Sequence, residues 1–102
     1  MSPVTIINTF SIKSDKIDEF VSAQQSFAAQ VRKQPCGLLG GRLYRSVDGT
    51  AAVLISQFES QQAFEEIRQR EDFKQHLQRL AAMVNSANPA RFEEAYTTGN
   101  FS

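Results

Sequence analysis

The chain has a single cysteine, a single histidine, no tryptophan and no excess of either charge. Each scarcity excludes something. Cys36 alone cannot form an intramolecular disulfide, and a lone thiol suits a reducing compartment, so the expected location is the cytoplasm. His76 beside Cys36, with no clustered carboxylates, gives no metal-binding constellation. Lysine plus arginine and aspartate plus glutamate stand at 11 each, and no basic run occurs, so no nucleic-acid partner is expected. Apolar runs are too short to span a bilayer, and the N-terminus has no charged stretch leading into an apolar one. Neither a membrane partner nor a secretory leader is expected. The glycines at 37, 40, 41 and 49 precede no helix at phosphate-loop spacing.

What is present is phenylalanine, at 8 residues in a chain of 102. That length fits a single domain over residues 1–102 with one aromatic core. Val4 to Ile12 alternates as a strand. Val4, Ile6, Asn8, Phe10 and Ile12 form one face, and Thr5, Ile7, Thr9 and Ser11 form the other. Asn8 therefore interrupts an apolar face. A buried amide without partners costs roughly 1–3 kcal/mol, so Asn8 either bonds nearby backbone as a core residue or faces a ligand cavity.

Ser14 and Asp15 are helix N-cap types, and Ile17, Phe20, Val21, Phe27, Ala28 and Val31 then recur at helical spacing up to Gln34-Pro35. Leu38 to Ser46 reads as a second strand, Val47-Asp48-Gly49-Thr50 as a hairpin turn, and Ala51 to Phe58 as a central third strand. Ser60 caps a second helix through Ala63, Phe64 and Ile67, which breaks at Arg70-Glu71-Asp72. Phe73, Leu77, Leu80, Ala81 and Val84 resume the apolar stripe. Asn85 to Pro89 reads as a stop and Arg91 to Thr97 as a last strand.

The order β-α-β-β-α-β predicts a ferredoxin-like α+β sandwich, a four-stranded antiparallel sheet with helices on one face. The other face is then bare and partly apolar, with Ile7 on the first strand and an apolar third strand. A two-fold homodimer stacking sheet on sheet is the expected partner.

Several stretches carry a resemblance: INTF on the first strand, DEF in the first helix, QPCGLLGGRLYRS into the second strand, QFES closing the third, then AF and DF. The chain resembles the antibiotic biosynthesis monooxygenase domain family, whose members are dimeric α+β barrels. The family's usual QPG turn, LHRS strand and WES corner correspond here to QPCG, LYRS and FES. The resemblance implies a small aromatic ligand and, in one branch, oxygenation with no cofactor. In the haem-degrading branch the strand Asn acts with a Trp and an axial His. Those positions correspond to Phe58 and Leu77, with His76 one residue earlier. That argues against haem unless the helix break displaces the alignment.

The candidate catalytic residues are Asn8, His76 and Tyr44. His76 borders the apolar stripe; facing inward, it is a general base near neutral pH, and facing outward, a boundary residue. Tyr44 or Arg42 can bond a phenolic or quinone oxygen, or can belong to the dimer edge. Tyr96 is open in the same way. Phe10, Phe27, Phe58, Phe64 and Phe73 can wall a flat substrate or serve as core. Cys36 has only Lys33 near it in sequence as a charged partner and is read as structural. Three functions follow: a cofactor-independent monooxygenase of an electron-rich phenol, quinol or anthrone; a haem-binding or haem-degrading monooxygenase; and a non-enzymatic dimeric module that binds a small ligand.

Overall fold

The computed structural model describes residues 3–33 and 36–101. The chain runs β1 (Val4–Ile12), α1 (Ile17–Val31), β2 (Leu38–Arg45), β3 (Ala51–Phe58), α2 (Gln61–Arg68), α3 (Glu71–Ala81) and β4 (Val84–Phe92). The strands form one sheet in the order β2-β3-β1-β4, with every neighbouring pair antiparallel. This is the ferredoxin-like α+β fold that the element order predicts.

Alternation along β1 divides its two faces. Val4, Ile6, Phe10 and Ile12 are buried under the helices. They do not form one continuous core. Phe10 and Ile12 join Phe20, Ala23, Ala52, Leu80 and Met83, while Val4 and Ile6 join Phe58 and Ile67. Asn8 lies between Ile6 and Phe10, at the seam of the two clusters. An amide at that point divides the core rather than filling it.

Local chemistry sets the helix ends. Ser60 Oγ accepts from the Ala63 N–H at 3.1 Å and starts α2. Ser14 and Asp15 do not cap α1; Lys16 is its N-cap, without a side-chain bond. Asp15 instead takes a left-handed conformation, φ 63°, in the turn that Lys16 N–H closes onto Lys13 O. Helix α1 ends with Arg32 as C-cap. The expected stop at Gln34-Pro35 lies outside the described residues. The predicted break is real: Arg70 is extended between α2 and α3, and its guanidinium grips Asp72 at 2.7 and 3.0 Å.

The last strand differs from expectation. It spans Val84–Phe92 rather than Arg91–Thr97, and so includes the presumed stop at Asn85 to Pro89. Strand β4 is an edge that pairs only with β1, from Thr5↔Phe92 to Ile12↔Val84. An edge tolerates proline and polar residues because one side of its backbone faces water. Tyr96 follows in an irregular, exposed segment.

Candidate functional site

A cavity of about 590 Å³ opens between the sheet, α1 and α3, at the seam marked by Asn8. Its size and mostly apolar lining suit a small organic molecule. Strand alternation supplies Asn8 and Phe10 from β1, Leu54, Ser56 and Phe58 from β3, and Gly41 and Leu43 from β2. Helix α1 contributes Gln24, Phe27 and Val31, and α3 contributes Phe73, His76 and Leu80.

The break at Arg70 explains how α3 reaches this position. Helix α3 starts afresh at Glu71, and Phe73, His76 and Leu80 then share its inner face at i, i+3 and i+7. His76 is 5% exposed, whereas Leu77 is 47% exposed at the cavity mouth. The expected stripe through Leu77 is thus rotated by one position, and a polar ring occupies the inward place.

His76 is firmly held. Its ring stacks on Phe27 with centroids 4.2 Å apart and planes 5° from parallel. Phe73 meets Phe27 edge-on at 5.9 Å. The imidazole Nε2 donates to Gln24 Oε1 at 2.8 Å. Burial, reinforced by the nearby Arg79 charge, lowers the His76 pKa from 6.5 to about 4. The ring is therefore neutral at pH 7. It does not titrate near neutrality as the sequence reading expects of an inward-facing histidine.

Three buried polar atoms have no protein partner among the described residues: Asn8 Oδ1, Gln24 Nε2 and His76 Nδ1. All three belong to residues lining the one cavity. Buried polar groups are normally paired, and here three residues that line one space each carry an orphan.

Gln24 escaped the sequence reading. It sits between Val21 and Phe27 on the apolar face of α1 and is only 8% exposed. The signal is the one that singles out Asn8, an amide on an apolar face, here at helical period.

Of the residues proposed from sequence, Asn8, Phe10, Phe27, Phe58, Phe73 and His76 surround the cavity. Tyr44 does not, because Gly41, Leu43 and Arg45 take the helix-facing positions of β2. Arg45 there pairs with Asp18 of α1 at 2.8 Å. Tyr44 lies on the open face, where the Arg42 Nη1 donates to its hydroxyl at 3.2 Å. Arg42 borders the cavity only by its place on β2, and its guanidinium serves the opposite side. Phe64 is also displaced. It packs on Phe58 at 5.0 Å beneath the Arg68 guanidinium, within the second core cluster.

No group of three or more His, Cys, Asp or Glu side chains able to hold a metal occurs among the described residues. Nor does the donor set suit a haem iron. The His76 Nε2 is committed to Gln24, Leu77 beside it has no donor atom, and Phe58 belongs to the second core cluster. No helix is long and apolar enough to cross a membrane among the described residues.

Known proteins share this fold. SnoaB from Streptomyces nogalater, a cofactor-independent oxygenase, superposes with a TM-score of 0.82 at 26% identity, over 95% of this chain and 97% of that one. Rv0793 from Mycobacterium tuberculosis gives 0.78 at 19% identity, over 96% and 100%. PA3566 from Pseudomonas aeruginosa gives 0.79 at 18%, over 94% and 97%. The latter two likenesses show the fold alone. The curated proteins offer no match. The family model described as antibiotic biosynthesis monooxygenase matches residues 3–79, and this chain belongs to that family.

Proposed function

We propose that this chain is a monooxygenase that oxidises a small electron-rich aromatic, such as a phenol, quinol or anthrone, in the cavity beside Asn8 and without a cofactor. One observation carries the reading: three residues of one phenylalanine-walled cavity, Asn8, Gln24 and His76, each carry an unpartnered buried polar atom. Family membership and the likeness to a cofactor-independent oxygenase supply the reaction class.

The chemistry needs little from the protein beyond binding, orientation and proton handling. For a phenol with hydrogen at its para carbon, oxygen takes one electron from the ring. A phenol so oxidised is a strong acid, so even the weakly basic His76 Nδ1 accepts its proton. The aryloxyl radical and superoxide couple to form a C–O bond at the para carbon, and the proton returns to give a hydroperoxide. The O–O bond then breaks as the para C–H proton leaves. One oxygen atom stays as a quinone carbonyl and the other departs as water. Asn8 holds the substrate or the oxygen, and Phe10, Phe27, Phe58 and Phe73 exclude water and hold the ring.

The open sheet face is the proposed seat of a second copy. It carries Ile7, Val53, Ile55 and Phe92, partly exposed or exposed, and an apolar sheet face calls for cover. A single cysteine suits a reducing compartment, and the cytoplasm is the proposed location.

Oxygen consumption with an anthrone and a hydroquinone tests the activity. The wild type should accelerate uptake, and Asn8→Ala should slow it about tenfold or more, as loss of a positioning hydrogen bond does. Equal rates would remove Asn8 from the mechanism. Uptake no faster than buffer would leave the cavity as a binding site only.

A further inference from the structure

The contact between Gln24 and His76 determines more than packing. A neutral imidazole carries one proton, on one of two nitrogens. Gln24 Oε1 can only accept, so the nitrogen 2.8 Å away, Nε2, carries that proton. Nδ1 is left as a bare lone pair, and it is one of the three buried atoms without a partner. Nε2–H is also the form that neutral histidine favours in water, so the hydrogen bond reinforces an existing preference. The flat contact with Phe27 fixes the ring plane, so Nδ1 keeps one direction.

The three orphans differ in what they can offer. Asn8 is an amide with both donor and acceptor atoms and can meet almost any polar ligand, while Gln24, its oxygen held by His76, offers the Nε2 donor to any oxygen, hydroxyl or carbonyl. His76 cannot adapt while Gln24 holds Nε2–H. Its free nitrogen only accepts. Discrimination by the cavity therefore falls on His76.

We propose that Gln24 is a positioning residue that locks His76 in the Nε2–H tautomer, so that Nδ1 selects an aromatic bearing a hydroxyl over the carbonyl-only quinone made from it. The proposal rests on the reading of the cavity as an aromatic site. A phenol or quinol donates its O–H to Nδ1. A quinone has only acceptors; it can receive from the amides but faces Nδ1 lone pair to lone pair. Oxidation thus removes the hydrogen bond that held the substrate and favours release of the product. A site built to pair with a hydroxyl rejects an analogue lacking it because its own buried group is left unpaired.

His76 is the only histidine, so its imidazole nitrogens give unambiguous 15N signals. Long-range 1H–15N correlation at pH 7 should show a protonated Nε2 and a bare Nδ1. Gln24→Leu should populate both tautomers, whereas Gln24→Glu, whose carboxylate also accepts, should restore the single form once the pH is above the His76 pKa, which the carboxylate raises. Binding of 1-naphthol, 1-methoxynaphthalene and 1,4-naphthoquinone, followed by the same signals, tests selection. The wild type and Gln24→Glu should prefer 1-naphthol by roughly tenfold or more, and Gln24→Leu should lose most of that preference.

A protonated Nδ1 in the wild type would overturn the proposal, as would an unchanged tautomer and preference in Gln24→Leu. Binding of all three probes with equal affinity would also overturn it but leave the aromatic site standing. Binding of none would overturn both. The backbone amide spectrum of each variant reports whether it is folded, and Gln24→Glu supplies the comparison should Gln24→Leu unfold.

Discussion

The imidazole of His76 lies parallel to the ring of Phe27, 4.2 Å away and tilted by 5°. One ring face is thus closed to water, and the Nε2 edge is closed by Gln24. A neutral ring loses little by this, but an imidazolium would lose much of its hydration. The geometry and the lowered pKa have the same cause.

That cause makes stability depend on pH. The histidine pKa is 6.5 when unperturbed and about 4 in the fold. As pH falls, the unfolded chain takes up this proton before the folded chain does. Stability from this group is therefore full above pH 6.5, declines between pH 6.5 and 4, and levels off below. The whole loss is on the order of 3 kcal/mol. Urea unfolding at pH 7.5 and 4.5 should show most of it, and His76→Phe, which keeps the stack, should abolish that part of the dependence. An identical pH profile in the variant would mean that the imidazole charge is tolerated.

Asn8→Leu should move stability and function in opposite directions. The substitution removes a buried acceptor that has no partner and adds apolar contact at the seam of the two clusters. Stability should rise by about 1 kcal/mol, read as a higher urea midpoint. Oxygen uptake should fall at least as far as in Asn8→Ala. If the midpoint drops instead, Asn8 is a structural residue and the cavity reading loses its central amide.

Haemin should find no ligand. The His76 Nε2 is committed to Gln24, Leu77 has no donor atom, and the bare Nδ1 stands next to the ring carbon that carries the side chain, which crowds a macrocycle. Titration with haemin should leave the Soret band of the free pigment unshifted by the protein. A saturable shift that disappears in His76→Ala would restore a haem role and show that the bond from Gln24 yields to iron.

Much of this arrangement is legible in the residues. Strict alternation places Asn8 among Val4, Ile6, Phe10 and Ile12, and the structure sets it beside the cavity. The break at Arg70 is visible, but the inward residue of α3 is not. Within α3 both His76 and Leu77, at i+3 and i+4 from Phe73, border the apolar stripe, and the apolar side chain is the expected inward one, whereas the structure turns His76 inward. The place of Tyr44 on the open face has a different origin. The β2–β3 register slips between Leu38 and Gly40, so alternation alone does not say which side of β2 meets the helices. Strand β4 was hidden because edge strands need no apolar pattern, and Asn85, Ser86, Asn88 and Pro89 are turn formers in most settings. Gln24 was legible in principle, as a polar residue between Val21 and Phe27 on a buried face.

The open face gives the last prediction. Ile55 pairs with Ile7 on one side and Arg42 on the other, at the middle of the surface opposite the helices. In an isolated chain that face meets water, so Ile55→Lys should fold normally, with a change within about 0.5 kcal/mol. In a sheet-on-sheet dimer the same lysine would bury an unpaired charge, which is strongly unfavourable. Sedimentation equilibrium at micromolar concentration should therefore give a dimer mass for the wild type and a monomer mass for Ile55→Lys. A monomeric wild type would remove the dimer. A dimeric variant would move the contact elsewhere on the surface. The cavity opens on the helix side of the sheet, so the monomeric variant should keep its affinity for 1-naphthol.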